Sequence, residues 1–412
     1  MRYRILTAAL SATAALTLSL HAHATELEVT HWWTSGGEAA AVAEFAKAFD
    51  ATGHKWVDGA IAGSGGVARP IMISRITGGD PMGATQFNHG RQAEELVEAG
   101  LMRDLTDIAD ANNWREVIHP SSLLDSCTLD GKIYCVPVNI HSQQWLWLSN
   151  TAFEKAGVAV PTNWAEYAAA APALEKAGII PLALGQQPWQ TTTAFQVILT
   201  AIAGPETYTS IFGEKDAELA AGDKMKEVFA AADQARKMAA KSNVQDWNQA
   251  TNMVITGQAA GQIMGDWAQG EFAVAGQVAG EDYTCLPGLG VNEVIMTGGD
   301  AFYFPVLKDE EKTKAQGELA ALMLSPEVQV AFNLKKGSLP VRGDVDLAAA
   351  NDCMKKGLEI LAAGNIIQSP DQLMSADSLS QINDLFVEFF NNPSLTVEDA
   401  QARFVELVSA AD

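Results

Sequence analysis

The chain has 412 residues, 48% hydrophobic and 19% charged, the proportions of a folded protein with ample core rather than a disordered or fibrous one. At about 150 residues per domain, this length predicts two or three compact units. Fifty acids against 27 bases leave a net charge of −23, which repels phosphate backbones and anionic lipid and argues against a nucleic-acid or membrane-surface role.

The first two dozen residues read as an export signal. Arg2 and Arg4 precede an apolar stretch from Ile5 to Leu20, broken only by Ser and Thr. The small-residue pattern Ala22-His-Ala24 follows, and cleavage is expected after Ala24, or else after Ala22. The apolar run is too short and too rich in hydroxyl residues for a bilayer span, so no membrane anchor is expected. No Cys precedes Cys127 to carry a lipid. A freely released protein of the Gram-negative periplasm is the reading that fits.

Glu26 to Trp33 alternates and is β-rich, which predicts a strand. Gly36-Gly37 ends it. Glu38 to Phe49 then sets Ala39, Val42, Phe45, Ala46 and Phe49 on one helical face. Lys55–Ile61 is a second strand and Val67–Ile76 a second helix, with Gly63-Ser-Gly-Gly66 as a tight turn before it. This alternation predicts α/β layers with parallel strands. Further on, Cys127 and Cys135 flank Asp130-Gly131, a hairpin-turn pair, at equal arms. They should face each other at disulfide distance, in keeping with an oxidising compartment. Cys285 and Cys353 remain and could pair, although four cysteines permit three connectivities.

The middle of the chain reads as mainly helical. Asn163 is an expected N-cap, with Glu166 three residues later, and Ala-rich helix continues through Ala177. Helices follow at Phe195–Ala203, Lys224–Ala240 and Trp247–Thr256. Gly261–Trp267 reads as a short buried strand running into a polar loop. Strands return at Val294–Met296 and Ala301–Pro305, then helices at Lys312–Met323 and Pro326–Asn333, and amphipathic helix from about Ile382. With no repeat and no long linker, two lobes must be joined by strands that cross directly.

No nucleotide P-loop, His-Glu-x-x-His, Gly-x-Ser-x-Gly or Cys-x-x-Cys occurs, so neither a cofactor nor a metal is expected. Asp344 and Asp346 resemble part of a calcium loop but lack its Gly and distant Glu. Ten tryptophans are present, all before residue 268. Trp32-Trp33, Trp189, Trp247 and Trp267 sit in polar, turn-like surroundings, whereas Trp56, Trp145, Trp147 and Trp164 read as structural. An indole beside amides and carboxylates suits a sugar. The C–H face of a pyranose packs on the ring, and its hydroxyls need donors and acceptors in fixed directions. Charged candidates for such contacts are Glu38, Asp266, Asp300 and Lys336, and His141 interrupts an apolar strand.

Several motifs occur together in order. They are Trp32-Trp33, Gly78-Gly79-Asp80-Pro81, the run Gly131-Lys-Ile-Tyr-Cys-Val-Pro-Val-Asn-Ile-His141, and Pro161-Thr-Asn-Trp164. Pro181-Leu-Ala-Leu-Gly185, Met264-Gly-Asp-Trp267, Asp300 and Lys336-Gly-Ser338 complete the series. With these the chain resembles the extracellular sugar-binding proteins of ABC importers, the maltose/multiple-sugar class, and within it the bacterial glucose/galactose/mannose binders.

The resemblance implies an α/β, two-lobed periplasmic binding protein, with a hinge of crossing strands and a ligand cleft between the lobes. One lobe would comprise 25–138 and 298–342, the other 139–297 and 343–412. It implies a monomer that binds a monosaccharide, an aldohexose such as glucose, galactose or mannose, and delivers it to an inner-membrane ABC permease without chemistry. The sugar contacts it implies are Trp32, Trp33, Glu38, Gln86, Trp247, Trp267, Asp300 and Lys336, with His141 at the first strand crossing. Asn88 stands where the glucose binders carry a His, with His89 shifted by one, and the late loop Ser369–Ala376 holds no His. A binder of another polyol or osmolyte, or a periplasmic glycoside hydrolase with two carboxylates across its cleft, is the alternative.

Overall fold

Alternation sends Leu27 and Val29 of strand β1 (Glu26–His31) into a hydrophobic core and leaves Glu26 exposed. The computed structural model describes residues 24–412. The expected export signal, apart from its last residue, lies outside the described residues. β1 stops at His31, two residues before the expected end. Ser35 then caps helix α1 (Gly36–Ala51) through a capping box with Glu38. Ala41, Val42, Phe45 and Phe49 are the buried stripe of α1, whereas Ala39 faces solvent.

A second strand, β2 (Lys55–Ala60), pairs with β1 in parallel. Gly63, in the left-handed region at φ 103°, turns the chain into helix α2 (Ser64–Thr77). Strand β3 (Ala84–Asn88) joins the other edge of β1, also in parallel. The cysteines of the hairpin face each other as expected. Thr128–Leu129 pairs with Lys132–Ile133, Asp130 and Gly131 both take positive φ, and Cys127 is bonded to Cys135 with Cα atoms 5.0 Å apart. Strand β4 (Cys135–Pro137) then leads out of this first sheet.

The second sheet is built from β5 (Trp145–Ser149), β6 (Ile180–Ala183), β7 (Ala259–Ile263) and β8 (Tyr283–Pro287), in the order β8-β5-β7-β6. The chain then returns to the first sheet as β9 (Asp300–Tyr303), giving the order β2-β1-β3-β9-β4. An all-parallel sheet was the local expectation. Instead β9 runs antiparallel to both β3 and β4, with Phe302 opposite Gln86 and Val136. Its direction is set by the excursion through the second sheet, which no strand–helix alternation nearby can specify. Each sheet has its own core. One contains Phe45, Phe87, Phe302 and Phe332, the other Leu148, Phe195, Phe229 and Phe386. The molecule is two-lobed, and "first" and "second" lobe below refer to these two sheets.

Helix boundaries shift where caps override apolar periodicity. Asn163 caps its helix by accepting from the Glu166 amide, as expected, and Trp164 packs on Tyr167 in the first turn. Helix α3 (Pro188–Ala203) begins seven residues before Phe195, with Pro at its start. Helix α4 (Trp247–Ile255) has a capping box between Asp246 and Gln249. After β7 comes helix α5 (Ala268–Val274), and the first lobe is completed by helix α6 (Pro326–Lys336). The expected C-terminal helix is two helices, Ala376–Asn391 and Val397–Ala410, separated where Pro393 cannot continue the first. Cys285 on β8 is bonded to Cys353, whose helix places Met354 and Ile360 in the first core. Asp344 is paired with Arg342 at 2.6 Å, an ion pair rather than a calcium ligand set.

Two chain segments, 138–141 and 298–300, cross between the lobes side by side, and Leu339 of the first core pairs alongside them. The Val138 amide donates to Asp300 and the His141 amide to Gly298, at 3.0 and 2.9 Å. Ile140 and Leu339 exchange both backbone hydrogen bonds. Among the described residues no helix is long and apolar enough to cross a membrane.

Candidate functional site

The crossing carries a polar cluster. Alternation along 138–141 points Asn139 and His141 to the same side. There Asn139 donates to Asp300 Oδ2 at 2.9 Å and accepts from the Asp300 amide at 2.8 Å. Gln86, on the neighbouring β3, donates to Asp300 Oδ1 at 2.7 Å, and its own carbonyl accepts from the Trp32 amide at 3.0 Å. Asp300, at the start of β9, is thus held on both oxygens by strands to either side.

His141 closes the cluster. Its Nε2 lies 2.6 Å from Asp300 of the first lobe, and its Nδ1 lies 2.9 Å from Asp266, in the loop after β7 of the second. The other Asp266 oxygen accepts from the Ser142 amide at 2.8 Å. A neutral imidazole carries one N–H, so donation to both carboxylates requires the imidazolium. Burial opposes that charge, but Asp300 and Asp266 outweigh it and push the His141 pKa up to about 9. Burial alone would raise the Asp300 carboxyl too, yet His141 and Lys336 hold it well below the usual carboxylate range. For Asp266 burial prevails over its partners and the pKa is raised. His89, next to the cluster, is instead held neutral by burial, its pKa lowered to about 4.

Trp267 meets His141 edge-on at 4.8 Å between ring centroids, and Trp189 and Trp247 lie 6.0 and 6.4 Å from Trp267. Lys336, the last residue of α6, pairs with Glu38 at 3.1 Å and lies 5.9 Å from the Trp267 ring. Trp32 is half-buried, and its indole is 3.6 Å from where a Cβ on Gly65 would sit. Among the described residues no cluster of three or more His, Cys, Asp or Glu side chains could hold a metal.

A family model described as bacterial extracellular solute-binding protein matches residues 33–330. The chain belongs to this family. A relative from Brucella melitensis biotype 1, named a probable sugar-binding periplasmic protein, is 37% identical over 394 residues, covering 93% of this chain and 92% of its own. Two solved structures show the same fold at TM-score 0.75. One is a chitin oligosaccharide binding protein, 18% identical, with 93% of this chain and 98% of that chain covered. The other is a bacterial solute receptor described as having an exclusive preference for β-D-galactopyranose, 17% identical, with 94% and 98% covered. Solute-binding proteins of this family bind and release, so the chain is a binding protein and not an enzyme.

Of the residues singled out in the sequence, this solute-binding protein brings Trp32, Gln86, His141, Trp267, Asp300, Lys336 and Glu38 into one connected group, with Trp247 against Trp267. Trp33 does not join them in the same way. It is a core residue, 1% exposed, packed on Phe45, Phe302 and Phe332, and the Lys336 ammonium, 5.6 Å from its ring, links it to the group. Consecutive residues in extended backbone point to opposite sides, so one indole of the pair faces the core. Asn88 lies opposite Asp300 in the strand register, but its side chain makes no hydrogen bond among the described residues. Asn139 is a member of the cluster that the sequence marks only by its i, i+2 spacing to His141. Trp189 and Asp266 were visible as polar-flanked residues, and only the tertiary structure sets them beside Trp267 and His141.

Proposed function

We propose that this chain is the periplasmic sugar-binding component of an ABC importer, taking one monosaccharide between its lobes. The reading is supported most by a single observation. His141 ties an acid of each lobe together, the Trp267 indole lies edge-on to it with Trp247 behind, and the Trp32 amide reaches the same cluster through Gln86. The sugar-binding name of the Brucella relative supports the class.

In this reading Trp32 and Trp267 stack on the two faces of the ring, while Gln86, Asp300, His141, Glu38 and Lys336 take its hydroxyls. Trp247 and Asn88 line the cleft, and Trp33 supports Lys336 from the core. Docking on one lobe draws the other across by rotation at the crossing strands. Closure leaves any hydroxyl without a partner at a cost of about 1–3 kcal/mol, and this separates epimers. The ligand is an aldohexose such as glucose, galactose or mannose. The protein acts as a monomer released into the periplasm by its export signal, and the permease reads its closed shape. The lobes divide at 138/139 and 297/298, whereas the third boundary falls beyond 342/343, because Met354 and Ile360 still pack in the first core and Ile367 is the next residue in the second.

The test is a thermal-shift panel of monosaccharides and disaccharides on protein lacking residues 1–24, since a ligand that binds only the folded form raises the melting temperature. An aldohexose should give the largest shift. Asp300→Ala should abolish it. A panel in which no sugar raises the melting temperature would overturn the reading.

A further inference from the structure

Helix α5 faces two ways. Ala268 and Phe272 anchor it in the second lobe, with Phe272 stacked on Tyr283 at 4.1 Å. Gln269, Gly270 and Glu271 lie against the first lobe. Glu271 Oε1 accepts from the Gly37 amide at 2.7 Å, so a carboxylate of one lobe sits on the N-terminal turn of the 16-residue helix α1 of the other. Gln269 donates to the Gly337 carbonyl at 2.8 Å.

The backbones here approach as closely as glycine allows. A Cβ on Gly37 would lie 2.6 Å from the Gly270 carbonyl carbon and 2.8 Å from its Cα. A Cβ on Gly270 would lie 3.0 Å from the Lys335 carbonyl oxygen, and one on Gly337 would lie 2.7 Å from that of Asp266. These neighbours are main-chain atoms, which cannot rotate aside. Gly37 is in ordinary helical backbone, so nothing local to α1 demands a glycine there.

We propose that the Gly37–Gly270 approach and the Glu271 carboxylate on α1 form the latch of lobe closure, setting how near the lobes come and how long they stay together. The carboxylate exchanges water for the Gly37 amide as the lobes meet, and the paired glycines let it reach that amide. The latch lies outside the His141 cluster, so it governs residence time without choosing the sugar. The part concerning residence time rests on the sugar-binding reading; closure itself does not.

The test is Gly37→Ala, with Gly66→Ala as control. Gly66 is also in a first helical turn, and its added Cβ would meet nothing within 4 Å. Small-angle X-ray scattering is recorded for both variants and wild type, alone and with D-glucose, D-galactose or D-mannose at saturation. Gly37→Ala should keep the wild-type urea midpoint, show a larger radius of gyration than wild type, and release sugar at least tenfold faster, while Gly66→Ala matches wild type. E271A should accelerate release to a smaller degree. Wild-type scattering together with wild-type release rates for Gly37→Ala would overturn the latch. If none of the three sugars binds wild type, the aldohexose reading fails by itself, and the scattering curves without sugar decide the latch, identical curves overturning it.

Discussion

His141 and Asp300 are 159 residues apart in sequence and 2.6 Å apart in the fold, meeting where the chain passes between its two lobes. The imidazole side chain is only 10% exposed, and the acid 4%. Such a pair is stable only with its charges matched, because an unpaired buried ion costs several kcal/mol. Asp266 on the far ring nitrogen and Asn139 and Gln86 on the carboxylate complete the matching.

This arrangement makes stability depend on alkaline pH. The folded His141 pKa of about 9 lies above its ordinary 6.5, so its contribution is fully present below pH 6.5 and is lost as pH rises through 9. At about 1.4 kcal/mol per pH decade, the loss is on the order of 3 kcal/mol. Urea unfolding at pH 6 and pH 10 should show that drop in wild type. In His141→Gln the drop should be smaller by this amount. Equal drops in the two proteins would mean that His141 is not charged in the folded state.

Adjacent tryptophans should respond differently to truncation. Trp33→Ala removes a fully buried ring from the first core and should cost about 3–5 kcal/mol in urea unfolding. Trp32→Ala, from a half-buried position, should change the unfolding midpoint little and abolish the sugar-induced thermal shift. A large loss of stability in Trp32→Ala would return that residue to a structural role.

Lys336 and Glu38 form a buried ion pair, with side chains 2% and 9% exposed. Lys336→Met leaves the buried Glu38 carboxylate without a counter-ion, held by the Thr34 and Ser35 amides alone, and should destabilise by about 1–3 kcal/mol. Adding Glu38→Gln removes the stranded charge and should recover much of that loss. A double-mutant cycle of denaturation midpoints reads the coupling. Strictly additive losses would show that the pair contributes nothing as a pair.

The two disulfides should differ in value. Cys285–Cys353 closes a separation of 68 residues and Cys127–Cys135 one of eight. Loop-closure entropy gives about 4 kcal/mol for the first and about 2.5 kcal/mol for the second. Cys353→Ser paired with Cys285→Ser should therefore lower the unfolding free energy more than the corresponding change at Cys127 and Cys135. The reverse order would show that native-state packing around the hairpin outweighs chain entropy.

Local chemistry wrote much of this protein plainly into its sequence. Asp130-Gly131 set the hairpin that brings Cys127 to Cys135, Asn163 set its helix start, and the alternation of strands and helices after Glu26 set the α/β class. The polar flanks of Trp267 and Asp300 marked them as more than core. These signals depend on neighbours within a few residues, where backbone preferences and side-chain periodicity act directly. Tertiary structure alone decided the rest: that β9 enters the first sheet antiparallel, that Trp33 turns inward while Trp32 does not, that Asp266 meets His141, and that Glu271 reaches the Gly37 amide. Each depends on which distant segments share a sheet or a seam, and a contact between residues more than a hundred positions apart leaves no periodic trace in either segment.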